Sequence, residues 1–158
     1  MNARSIAVRI VAPVGIAAAL ALTGCTYMAP TATLIHYDPA DGVGADLGAV
    51  LLRNIQAVTN EDGSIANIAF TAINRGEATK LNYSVAGAGG KVEDWIPVAP
   101  GSTLVGEEDP HLILVDEPDA AVGGLLPVTF QVGDADSVTV LAPVLDVQGR
   151  PFLEPLVP

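Results

Sequence analysis

The chain has 158 residues, 50% of them apolar and only 16% charged, and its mean hydropathy is +0.45. Eighteen acids against seven cations give a formal charge of −11, so nucleic-acid binding is not expected: phosphate backbones repel such a chain. One cysteine allows no internal disulfide, and the fold has to rest on its own apolar core.

The first 24 residues have the layout of an export signal. Arg4 and Arg9 are the only charges, and the run Ile10 to Leu22 is uncharged and apolar. At about 13 residues that run is short of the roughly 20 a helix needs to cross a bilayer. Leu22-Thr23-Gly24-Cys25 then closes it. An uncleaved anchor helix, or cleavage by an ordinary signal peptidase at Ala19-Leu20-Ala21, is the alternative to processing at Cys25, but that cleavage leaves an exported, unpaired thiol. Removing residues 1–24 takes away two cations and no acid, leaving five against eighteen and a formal charge of −13.

Residues 25–46 read as a tether and entry loop, rich in turn residues around Tyr37-Asp38-Pro39-Ala40-Asp41-Gly42. From Leu47 to Val144 the chain reads as short β runs divided by Gly, Pro and Asp. Leu47 to Thr59 is interrupted by Arg53-Asn54, so one strand face is expected to meet water. Asn60-Glu61-Asp62-Gly63-Ser64 carries the Asp-Gly of a hairpin. Ile65 to Ile73 is apolar at both parities, as in a strand buried on both sides. Leu81, Tyr83 and Val85 alternate on a period of two. Lys91 to Ile96 reads as a strand broken by Pro97. Ser102 to Val105, His111 to Val115, Val128 to Val132 and Val138 to Val144 complete the set. No window carries a helical stripe, although Asp119 to Leu125 has room for one turn. Residues 147–158 hold three prolines and read as an extended tail. Strands at this spacing predict a single all-β sandwich or barrel over residues 47–146. Phe70, Tyr83 and Trp95 are expected in its core.

Catalytic chemistry has no candidate in the sequence. His36 and His111 stand far apart, and neither belongs to an H-x-x-x-H or H-E-x-x-H spacing. Gly87 to Lys91 lacks the spacing of a phosphate loop. The acid groups Glu107-Glu108-Asp109 and Asp116-Glu117-Pro118-Asp119 lack the alternation of a calcium loop and read as solvated charge. A non-enzymatic protein without a cofactor is the expectation.

Two resemblances add to this reading. Leu22-Thr23-Gly24-Cys25 resembles the lipobox of bacterial lipoproteins. That likeness implies a diacylglyceryl group on Cys25 and an anchor at the extracytoplasmic face of the cell membrane. One acyl chain holds a protein only marginally, whereas two give stable attachment. Three blocks resemble the periplasmic copper-chaperone domain PCuAC: Ile68 to Gly76, Ile96 to Thr103, and His111 to Leu114 continuing through Leu126 to Phe130. Together with Asp41-Gly42-Val43 and Leu52-Arg53-Asn54, the lipobox also resembles actinobacterial LpqE-type lipoproteins. The PCuAC likeness implies a cupredoxin-like or immunoglobulin-like sandwich. It also implies a Cu(I) site of two His and two Met, soft ligands for a soft ion. Here His111 matches the second His, but Ile113 stands where its Met partner belongs. The first His-x-Met region falls near Glu93-Asp94-Trp95-Ile96, and Met28 lies close to the anchor. The expected function is therefore a membrane-anchored binding or accessory module, holding an unknown protein or small molecule. Copper carriage through His111 is the alternative.

Overall fold

The computed structural model describes residues 38–158; the leader, Cys25, Met28, His36 and the rest of the tether as far as residue 37 lie outside the described residues. The chain forms β1 (Val43–Leu47), β2 (Val50–Thr59), β3 (Ile65–Asn74), β4 (Thr79–Gly87), β5 (Gly90–Val98), β6 (Gly101–Val105), β7 (Leu114–Asp116), β8 (Leu125–Val132) and β9 (Val138–Leu145), followed by a C-terminal 3₁₀ helix, Pro151–Leu156. Two antiparallel layers result. In one, β2 and β3 form the centre, with β1 on the outer side of β2 and both β6 and β7 along the outer side of β3. In the other, the order is β5-β4-β8-β9. Strand β9 joins the layers: it runs antiparallel to β8 and ends parallel to β2, pairing Val144 with Ala57 and Leu145 with Val58. The architecture is the all-β sandwich expected from the strand spacing.

The core lies between the layers. Leu52, Ile55, Ile68 and Ala72 from the first meet Leu81, Val85, Ile96, Leu126 and Val128 from the second, all essentially without solvent contact. Phe70 and Phe130 bridge the two, ring centroids 5.2 Å apart at 74°, an edge-to-face pair. Leu81, Tyr83 and Val85 take the inward parity of β4, as their period of two predicts. Strand β3 is buried at both parities, also as expected.

Strand β1 starts inside the stretch read as an entry loop. Val43-Gly44-Ala45-Asp46 reads as loop, yet Ala45 and Leu47 reach the core and Gly48, at φ +67, makes the two-residue turn into β2. The polar interruption at Arg53-Asn54 is a β-bulge. Arg53 pairs with Thr71 and Gln56 with Ala69, so Asn54 and Ile55 together oppose Phe70. Asn54 takes φ +56, a conformation Asn tolerates better than most residues, and its Oδ1 accepts a 2.9 Å bond from the Gly42 backbone N–H. Arg53 turns outward to Asp46, 2.7 Å away.

Two further departures concern Pro97 and the tail. Pro97 does not end its strand; it pairs with Lys80 inside β5. Strand β5 is an edge, where the missing N–H costs no ladder bond. Residues 151–158 are not an extended tail. Pro151 opens the 3₁₀ helix, its fixed φ suiting the first helical position. Leu153 is 1% exposed, yet it lies outside the sandwich core, as do the buried Val58 and Ala69 on the outward parity of β2 and β3. Asn67, on that same face, donates from Nδ2 to the Leu156 carbonyl at 2.9 Å and to the Gly106 carbonyl at 2.6 Å. The C-terminal segment is thus a third, partial layer over the first sheet. Asn67 Oδ1 is buried without a partner.

Candidate functional site

Those of the residues singled out for copper that the structure describes lie on different elements, the loop between β6 and β7 and the strand β5. His111 sits half-buried in the loop between β6 and β7, not in a strand. Its backbone carbonyl accepts from Gly106 N–H at 2.7 Å, and its N–H donates to the Glu108 carbonyl at 2.9 Å, closing a tight loop. Ile113 is fully buried in the core, and its carbonyl accepts from Ile68 N–H at 2.9 Å. A thioether at that position would point into the sandwich. The segment Glu93 to Ile96 belongs to edge strand β5, with Ile96 in the core and its neighbours exposed. Among the described residues no group of three or more His, Cys, Asp or Glu side chains is placed to hold a metal ion. Glu107-Glu108-Asp109 lies on an exposed loop, and Asp116-Glu117-Pro118-Asp119 runs from the end of β7 into the segment after it, its acids exposed.

Trp95 departs from its expected place. It is 45% exposed rather than in the core, whereas Phe70 and Tyr83 are buried. The reason is parity: Val92, Ile96 and Val98 take the inward positions of β5, leaving Trp95 with Lys91, Glu93 and Pro97 on the outward ones. The Lys91-x-Glu93-x-Trp95-x-Pro97 alternation carries that signal in the sequence. Lys80 Nζ lies 3.8 Å from the centroid of the Trp95 ring, a cation–π contact.

The outward face of the second sheet is where side chains with binding chemistry gather. The register puts Trp95 beside Asn82 and Asn82 beside Gln131, one row across β5, β4 and β8. The next row is Glu93, Ser84, Thr129 and, on β9, Thr139. Thr129 and Thr139 share a 2.8 Å hydroxyl–hydroxyl bond, and Gln131 Nε2 donates to the Ala135 carbonyl at 2.8 Å. Both rows, Thr139 apart, line an open depression of about 520 Å³, within the size range of small-ligand sites. Tyr83 also borders it, its hydroxyl held above the usual phenol range first by burial and then by the charge of Asp94. A second depression, about 660 Å³, lies by the β2–β3 turn among Glu61, Asp62 and Asp119. There Asp62 bonds Ser64 Oγ at 2.6 Å and Ser64 N–H at 3.0 Å, and those bonds hold its carboxyl below the usual range. That satisfied turn explains its acidity without a ligand.

No family model and no curated protein matches the chain. Among solved structures the chain is similar to the apo PmoF2 PCuAC domain, at 14% identity over 66% of this chain and 95% of that one, with a TM-score of 0.49. It is also similar to the copper-bound PCuAC domain from PmoF2, at 15% identity over 66% and 98% of the two chains, with a TM-score of 0.46. The apo PCuAC domain from PmoF1 gives 15% identity, 65% and 98% coverage and a TM-score of 0.46.

Proposed function

We propose that the protein is a non-enzymatic binding module, anchored by lipid on Cys25 at the extracytoplasmic face of the cell membrane. The observation that carries this reading is Leu22-Thr23-Gly24-Cys25 at the end of an uncharged apolar run preceded by Arg4 and Arg9. The module begins by Val43, and the thirteen steps from Cys25 to Asp38 reach at most about 45 Å, so such an anchor keeps it near the lipid surface. Its acidity adds nothing to membrane attachment, which leaves the acyl chains to do it. His111 is the single histidine of residues 38–158, which gives no imidazole pair for acid–base or metal work.

Mass spectrometry of the mature N-terminus tests the anchor. The expected first residue is Cys25 carrying a thioether-linked diacylglyceryl group. A mature chain with a bare Cys25 sulfur overturns it. Copper is tested separately by titrating the protein with Cu(I) against a competing chelator. The expected affinity is weaker than about 1 μM, since three of four soft ligands are missing. Tighter binding, lost in His111→Ala, would make the protein a copper carrier instead.

A further inference from the structure

We infer that the outward face of the second sheet is a binding site for a neutral saccharide, with a sugar ring against Trp95 and its hydroxyls bonded by Asn82, Ser84, Thr129 and Gln131. This gives the binding module a ligand class, and it rests on that reading. The strand spacing makes the patch about 10 Å across β5, β4 and β8 and about 7 Å from one row to the next. An indole at one end and two rows of amides and hydroxyls beside it match a molecule with apolar C–H faces and hydroxyl edges. Carboxamides both donate and accept, and hydroxyls do the same, so either sense of a sugar O–H is met.

Charge narrows the class. Lys91 pairs with Glu93, and Asp94 Oδ1 accepts from Trp95 N–H at 2.8 Å, so the depression offers an anion no unmatched cation. The chain's charge of −11 opposes anions further. A cationic ligand is disfavoured for another reason: the π face that would attract it already carries the Lys80 ammonium. Lys80 does not line the depression, and the register places it on the far side of Trp95 from the Glu93 row. The indole is therefore a wall, with the lysine behind it and the depression in front. An apolar ligand would cover the Asn82 amide, the Ser84 hydroxyl and the Gln131 amide oxygen without giving them partners, although Thr129 and the Gln131 amide nitrogen are already bonded within the protein. A neutral polyhydroxylated ring is what remains.

Trp95 is the single tryptophan of the chain, so its emission reads the site directly. The experiment uses the full lipidated chain in a sugar-free detergent. It is titrated with glucose, N-acetylglucosamine, cellohexaose and chitohexaose, and with hexagalacturonate as the anionic comparison. At least one neutral sugar should move the emission to shorter wavelength and saturate with Kd about 1 mM or tighter, while hexagalacturonate does not. A hexamer that binds more tightly than its monomer identifies a wall polymer as the source; equal affinities identify a free sugar. Asn82→Ala and Gln131→Ala should each weaken binding about fivefold, the size of one hydrogen bond, while the thermal midpoint falls by no more than a few degrees in either, Gln131→Ala giving up only the exposed bond to the Ala135 carbonyl. Silence with every neutral sugar overturns the site, as does equal binding of hexagalacturonate, or unaltered affinity in the Asn82→Ala, Gln131→Ala double variant. None of these outcomes touches the mass of the Cys25 lipid, so failure of the ligand and failure of the anchor are told apart.

Discussion

Phe130→Ala is expected to lower stability by about 3–5 kcal/mol, the range for an aromatic deleted from a packed core. Phe130 is fully buried and is one half of the edge-to-face pair that ties the two sheets together. Its partner Phe70 sits opposite the bulge at Asn54-Ile55. The chain has only three phenylalanines, and the third, Phe152, is 64% exposed. The third phenylalanine is therefore not at hand to refill the space, and Tyr83, opposite Phe130 across the β4–β8 ladder, already fills its own place in the core. Denaturant unfolding of the variant measures the loss. A drop below about 1 kcal/mol would show that the sheets are held together by their aliphatic contacts alone.

Leu153→Ala should cost about 2–4 kcal/mol, while Phe152→Ala next to it should stay within about 0.5 kcal/mol. The contrast depends only on which side chain the 3₁₀ helix turns inward: Leu153 is 1% exposed. Stripping Leu153 also loosens the segment whose Leu156 carbonyl takes a bond from Asn67, and Asn67 already has one buried atom unpartnered. The Asn67 side chain would then lose one of its two bonds, and hydrogen exchange along β3 should quicken at Asn67 and Ala69. If both substitutions cost the same, the C-terminal segment does not seal the first sheet.

The sequence was readable where a strand keeps one periodicity from end to end. Ile65 to Ile73, apolar at both parities, could only be a strand between two layers. Leu81, Tyr83 and Val85 announced which side of β4 faces inward. It was less readable where backbone geometry overrides composition. Val43 to Leu47 contains Gly44 and Asp46, and its strand character comes from pairing with β2 rather than from propensity. The C-terminal prolines suggested extension, although Pro at the first helical position equally suits a 3₁₀ turn. Trp95 was misplaced because a large aromatic weighs more in a burial argument than its parity does. The candidate binding face was invisible for a different reason. Trp95, Asn82 and Gln131 meet only through the registers of β5 with β4 and β4 with β8, and no local pattern states a register. The apolar run after His111 suggests that the histidine opens a strand, yet it lies in the loop before β7, and Ile113, two residues on, belongs to the core.

Strand β5 leaves one flank of the second sheet without a neighbouring strand. On the proposed lipid anchor, neighbouring copies would meet one another often, and an unprotected flank would let them stack into ribbons. Pro97 withholds a donor there, while Lys91, Glu93 and Asp94 would bring buried charge to any such stack. Crowded copies should stay separate, each keeping its broad face free for something other than itself.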